Sequence, residues 1–481
     1  MLGIAAFFVE SHRALTVPEE RDYGEGILMW QAMHATHLKA AYHSIDQYPY
    51  TVFHYPPVFH LLARAAALLT GNLLAGGRLV SILSFLSVCG VLALIAWRAL
   101  ASCGNRIARI LGTLAAGSLG FTSSVIPWAC LFRVDLAAAL FTITGLALFL
   151  DSPGKPRRAF AAFAFFVLAL YTKQTMLSAP LVCLLAAWLE DRRMALRLTL
   201  FSGVLGSAIL LFLNLATGGW FFINLFRYNQ NPFTFERLLG AWSFHIQFGF
   251  IILLLTGLAA WWTAVASPDL RATPLRRAIL ISAAYLACTL LMTVTAGKEG
   301  ASYNYFLEVD LAVSLLSGLF LGVITELGLR RRERYAMALL LALAIFVLQA
   351  LPNKGALEFT LSRRSLARND GKLVEFVNAT PGLIYGEDMV VLLGAGKPIA
   401  AEPTIITSLA KTGIWDQRRF IDCIRNHTFS AIQVSTTLDN HERYTAEVAA
   451  AIRAAYPEKR SLGPYTAYLP PATQLASKAV N

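Results

Sequence analysis

Charge is scarce in this 481-residue chain. Asp, Glu, Lys and Arg make up 15% of it, against roughly a quarter in a soluble domain, while 56% is hydrophobic and the mean hydropathy is +0.56. That balance excludes an ordinary water-soluble globule. Cysteine is sparse as well. The six residues Cys89, Cys103, Cys130, Cys183, Cys288 and Cys423 form neither a CxxC pair nor a disulfide framework, so neither a cysteine metal site nor a stapled secreted fold is expected. Internal repeats and low-complexity tracts are missing too. No basic n-region or small-residue cleavage site accompanies the apolar start Leu2–Val9, which argues against a cleaved signal peptide.

What the chain does have is long apolar runs. Ten lie near 79–100, 107–125, 134–150, 157–172, 175–189, 197–216, 244–266, 278–296, 306–326 and 335–351. Helices of this length and character fit a hydrocarbon core of ~30 Å. An eleventh would precede them, but only Leu2–Val9 of it is visible, ~12 Å of helix. Either the true start lies upstream or that helix is truncated. The fold class expected is an all-α polytopic membrane protein of about 10–11 spans.

The net charge of +12 could point to nucleic acid. Here the cations gather in short loops, in alternate ones, and no nucleic-acid partner is expected. One set holds sixteen Lys and Arg, including Arg98, Arg106, Arg109, Lys155, Arg157, Arg158, Arg192, Arg193, Arg276, Arg277 and Arg330. The other holds five: Arg133, Lys173, Arg227, Arg237 and Lys298. The positive-inside rule makes the first set cytoplasmic. The second set, the segment 10–78 and everything after about Pro352 then face outward. The expected division is a transmembrane domain at 1–351, with 10–78 as its first outer loop, and a small extracytoplasmic domain at 352–481. In the latter LIYGED, SAIQVS and YTAYLP read as strands, and RRFIDCIRNH and Tyr444–Ala455 as helices, giving an α/β texture.

Polar residues at the edge of a membrane need a reason, and they concentrate on the outer side. RDYGEG carries Asp22 and Glu25 at a spacing of three; YPYTVFHYPP carries His54 and Tyr55; Arg133 and Asp135 open a span. Lys173 lies in the turn of a tight helical pair, and GKEGASYNYFLEVD brings Tyr303, Asn304, Glu308 and Asp310. Each has a plain alternative. Asp22 and Glu25 suit a solvated loop, Arg133 with Asp135 a structural ion pair, Lys173 a snorkelling anchor, and Glu308 a helix-start residue.

Together they suit transfer of a sugar from a lipid phosphate. An anionic leaving group needs fixed cations, here Lys173 and Arg133. An acceptor hydroxyl needs a carboxylate base within reach, with Asp22 first, Glu25 second and Asp135 the third acid of the set. Tyr55, Tyr303, Asn304 and Glu308 would bind substrate. Direct displacement needs no cofactor, and a divalent metal is left open. No DxD signature of nucleotide-sugar enzymes is present. A transporter or lipid flippase is the main alternative, disfavoured by the lack of repeats and by charges at the edge rather than mid-span; a structural or assembly role leaves the clusters unexplained.

At these residues the sequence resembles the GT-C superfamily of membrane glycosyltransferases, in the branch of protein mannosyltransferases and the lipid A aminoarabinose transferase. RDYGEG occupies the place of that family's acidic first-loop motif. HYPPVFHLL, with Pro56 and Pro57, resembles its proline-led helix, RVDLAAALF maps its second acidic residue onto Asp135, YTKQ maps its carrier-phosphate turn onto Lys173, and NYFLE resembles its polar segment before a later span. The resemblance covers roughly 1–350 and implies a polyprenyl-phosphate-sugar donor, an acceptor lipid, glycan or protein, and residence in a bacterial inner membrane with the site facing the cell envelope. Two departures stand out. DYGE replaces adjacent Asp-Glu, so which carboxylate is the base stays open, and Gln174 replaces the usual glycine.

Overall fold

The computed structural model describes residues 2–118, 125–246, 258, 261, 273–330, 370–435 and 437–471. Within them helices dominate. Four segments are long and apolar enough to cross a membrane: Leu73–Ser102, Arg192–Ala216, Pro274–Gly297 and Tyr303–Glu326. Shorter apolar helices run Val58–Thr70, Asp135–Leu150 and Ser178–Glu190, with Arg106–Ser118 and Pro156–Leu170 beside them. Most of the runs 244–266 and 335–351 lies outside the described residues, as does the boundary at 351–352.

Local sequence sets the helix ends. The Asn72 side chain accepts from Ala75 N at 3.0 Å to start Leu73–Ala99, and Asp191 accepts from Arg193 N and Met194 N to start Arg192–Ala216. Pro156 and Pro274 occupy first-turn positions where a missing N–H costs nothing. Tyr303–Glu326 is the centre of the bundle, with 89% of its apolar window buried inside the protein.

The bundle has two unlike ends. Asp135–Leu150 has 16 residues, about 24 Å at 1.5 Å per residue. At its far end Asp151 pairs with Arg98 and, at 3.2 Å, with Arg158, while Arg277 reaches Glu190 at 2.8 Å and the carbonyls of Phe149 and Leu150. Its near end holds Arg133, Asp135 and the turn of Lys173.

The first helix differs from its sequence expectation. It runs Leu2–Thr16, well past Val9, because Glu10 is buried against Arg21 and the charge that ended the apolar run is neutralised in place.

The C-terminal unit is a four-stranded sheet in the order β1-β2-β4-β3, with β1 Ile384–Gly386, β2 Ala431–Val434, β3 Glu458–Leu462 and β4 Tyr465–Leu469. β1 and β2 are parallel, with Ile384 opposite Ala431; β2–β4 and β3–β4 are antiparallel. Helices Asp370–Ala379, Met389–Gly394, Pro403–Lys411, Arg418–Arg425 and Ala446–Ala455 surround it. This unit is packed onto the segment between the helices Leu2–Thr16 and Val58–Thr70. Ile27 and Trp30 of the helix Glu25–His34 share a core with Leu373, Phe376 and Met389. Tyr50 N donates to Ala400 O at 2.8 Å. A Cβ on Gly26 would stand 2.5 Å from the Met389 Cβ, so glycine is required for the approach.

Candidate active site

The two carboxylates that look equivalent in RDYGEG have different fates. Glu25, at the start of its helix, is fully buried. Its oxygens accept from Arg78 Nε at 2.9 Å and Nη2 at 2.7 Å, from Phe132 N at 2.7 Å and from Arg21 N at 2.8 Å. Burial pushes its carboxyl up, and the Arg78 charge and these donors more than offset that, holding it below the ordinary value. Arg78 also donates to the carbonyls of Ala14, Val17 and Glu19. Glu25 is therefore the keystone of the outer segment, with its lone pairs spent. The Asp22 side chain is one-third exposed and pairs with Arg133, which leaves it reachable.

Arg133 is gripped in turn. Its Nη2 holds both Asp22 and the Tyr23 carbonyl, the latter at 2.5 Å, and its buried Nε has no partner. Gly24 permits this arrangement: its φ is 100°, and an added Cβ would lie 3.0 Å from Arg133 Nη2.

Two residues on, Asp135 opens the helix Asp135–Leu150 and is 1% exposed. Lys173 Nζ donates to its Oδ1 at 2.6 Å, Asn304 Nδ2 donates to the same oxygen at 3.0 Å, and Oδ2 has no partner. Lys173 sits 5.2 Å from the Tyr305 ring centre. Burial works against its ammonium, but Asp135 and the Tyr55 and Tyr305 hydroxyls hold its pKa above the usual lysine range. Tyr55 feels the charges of both ion pairs. Burial pushes its hydroxyl up to about 12, with Asp135 adding and Lys173 and Arg133 opposing. Burial also keeps His54 neutral, its pKa pushed down to about 4, and its carbonyl accepts from Gln174 Nε2 and Asn229 Nδ2, both at 3.0 Å.

The structure thus brings Asp22, Arg133, Tyr55, Asp135, Lys173 and Asn304 to one end of the bundle. Glu308 accepts from Tyr285 O–H at 2.8 Å, and Tyr303 is 38% exposed. Sequence reasoning missed Tyr305, although it sits beside Asn304, and Arg78, which nothing in its apolar neighbourhood marks. Gln174 braces the His54 carbonyl, a role that glycine could not fill. Among the described residues no group of three or more His, Cys, Asp and Glu is placed to hold a metal ion.

An apolar helical bundle, an outer segment folded over one end, acid–cation pairs beneath it and a small sheet docked on that segment make up a fold of the GT-C type. Solved structures bear this out. ArnT from Cupriavidus metallidurans matches over 97% of both chains in the apo state, with a TM-score of 0.57 at 15% identity. Bound to undecaprenyl phosphate, it matches over 97% of this chain and 96% of its own, at 0.59 and 16%. The oligosaccharyltransferase AglB from Archaeoglobus fulgidus, in complex with an inhibitory peptide and a dolichol-phosphate, matches over 95% of this chain and 72% of its own, at 0.53 and 11%. At these identities the likeness is one of fold. No family model and no curated protein sequence matches the chain.

Proposed function

We propose that this protein is a glycosyltransferase that moves a sugar from a polyprenyl-phosphate donor to an acceptor hydroxyl by direct displacement, with Asp22 as the base. The observation that carries the reading is the contrast in exposure: the Asp22 side chain is 34% exposed, against 0% for Glu25 and 1% for Asp135. Only Asp22 of the three can meet an incoming hydroxyl. It takes the hydroxyl proton as the oxygen attacks the anomeric carbon. The bond from that carbon to the phosphate oxygen breaks, and the polyprenyl phosphate leaves with one more negative charge. Arg133, with its side chain 16% exposed, and Lys173, which spends one of its three donors on Asp135, offer that charge their remaining donors. Asp135 holds the ammonium and takes no proton in this scheme.

The loop cations favour placing the site outside the cytoplasm; a bacterial inner membrane is the residence that the resemblance implies. A cleft of about 550 Å³ at the far end of the helix Glu25–His34 is lined by Met33, Lys39, His43, Tyr48 and Lys397 among others, with no acidic residue in its described lining. It suits the remainder of an anionic acceptor.

The test is transfer in proteoliposomes. Purified protein is given labelled polyprenyl-phosphate pentose, hexose or amino sugar and an envelope-lipid extract. Label should move to an acceptor with release of polyprenyl phosphate. Label that crosses the bilayer still attached to its carrier would replace the enzyme with a flippase.

A further inference from the structure

Tyr23 touches both halves of the protein. Its carbonyl accepts from Arg133 Nη2, the atom that also holds Asp22. Its side chain runs the other way, into the C-terminal unit. The hydroxyl donates to Glu402, and the Arg443 guanidinium lies over the ring, 3.4 Å from its centre. Neither partner is free to drift. Glu402 caps the helix Pro403–Lys411, accepting from Ile405 N at 2.5 Å. Arg443 donates at 2.7 Å to Glu387, a fully buried carboxylate that also accepts from the hydroxyls of Tyr444 at 2.6 Å and Ser435 at 2.5 Å.

Asp22 and Tyr23 are consecutive, and Gly24 supplies the only left-handed turn between them and the helix that follows. A ring held on one side and a carbonyl held on the other fix Tyr23, and with it the chain into which Asp22 leads as the preceding residue. We propose that Arg443 and Glu402 clamp Tyr23 and so set the position of Asp22, which makes the C-terminal unit a working part of the transfer site. Tyr23 and Arg443 are positioning residues. The inference rests on the reading of Asp22 as base.

Tyr23→Leu removes the ring while leaving Arg443, Glu387 and Tyr444 bonded to one another. The clamp predicts a fall in kcat of tenfold or more, with the KM for donor lipid within twofold and an unfolding midpoint close to the parent's. Tyr23→Phe, which keeps the ring beneath Arg443, should restore kcat to within about threefold. Arg443→Lys keeps the charge beside Glu387 and gives up the planar stack. It should lower kcat alone and add nothing to Tyr23→Leu, because both break one contact. Normal turnover in Tyr23→Leu, a raised KM with intact kcat, or additive effects in the double variant would each overturn the clamp. Asp22→Asn run alongside separates the two claims. If it is inactive while Tyr23→Leu is normal, only the clamp fails; if it is active, the base assignment fails and the clamp with it.

Discussion

Replacing Glu25 by Gln separates a base from a keystone. The two side chains have the same shape, so a base would be lost without cost to the fold. In the structure, however, the change leaves the Arg78 guanidinium, 0% exposed, without its countercharge. It also sets an amide N–H₂ among donors, since Phe132 N and Arg21 N both point at the carboxylate. Removing one partner of a buried pair costs about 3–5 kcal/mol, a large part of the ~5–15 kcal/mol that holds a typical domain together. A drop in Tm of roughly 3–5 °C should follow, at ~2.1 cal/mol/K of unfolding entropy per residue, read by thermal unfolding in detergent. Arg78→Met breaks the same pair from the other side, so the double variant should cost less than the two singles added. The pH dependence has a sign as well. Because the folded state lowers the Glu25 pKa, its contribution is present above the unfolded value and is lost as pH falls through the folded one. The gap between parent and variant should therefore close in acid. A Glu25→Gln protein with the parental Tm and no transfer would refute the reasoning and return Glu25 to the chemistry.

Three further outcomes are expected. Lys173→Met combined with Asp135→Asn, which avoids a bare buried carboxylate, should weaken donor-lipid binding at least tenfold, measured by titration with polyprenyl phosphate, while the protein still inserts. Gly24→Ala should lower transfer at least tenfold, since its Cβ meets Arg133 at a left-handed φ, with donor binding retained. The His54 pKa lies below its unfolded value, so the unfolded chain takes up a proton first and stability falls as pH drops from about 6.5 towards 4; His54→Gln should flatten the Tm decline over that window.

Much of this site was legible in the sequence because membrane edges make polar residues conspicuous. Asp22, Arg133, Asp135, Lys173 and Asn304 stood out against apolar runs, and the strands LIYGED, SAIQVS and YTAYLP had the expected texture. The partners were not legible. Arg78 claims Glu25 across 53 positions and Glu402 reaches Tyr23 across 379, and no local signal reports a contact at that distance. β3 was missed for a different reason. Its Glu458, Lys459, Arg460 and Ser461 are all exposed on an edge strand, so no alternation betrays it. Hydropathy ends the first helix at Glu10, whereas burial of Glu10 against Arg21 lets the helix continue.

The role of Asp22 is tested most directly by the transfer rate and donor-lipid binding of Asp22→Asn in the same proteoliposomes. A positioned base contributes roughly 10²- to 10⁴-fold. A loss of that size is expected, with donor binding and Tm close to the parent's. Transfer at the parental rate would contradict it and leave Asp22 as no more than the countercharge of Arg133.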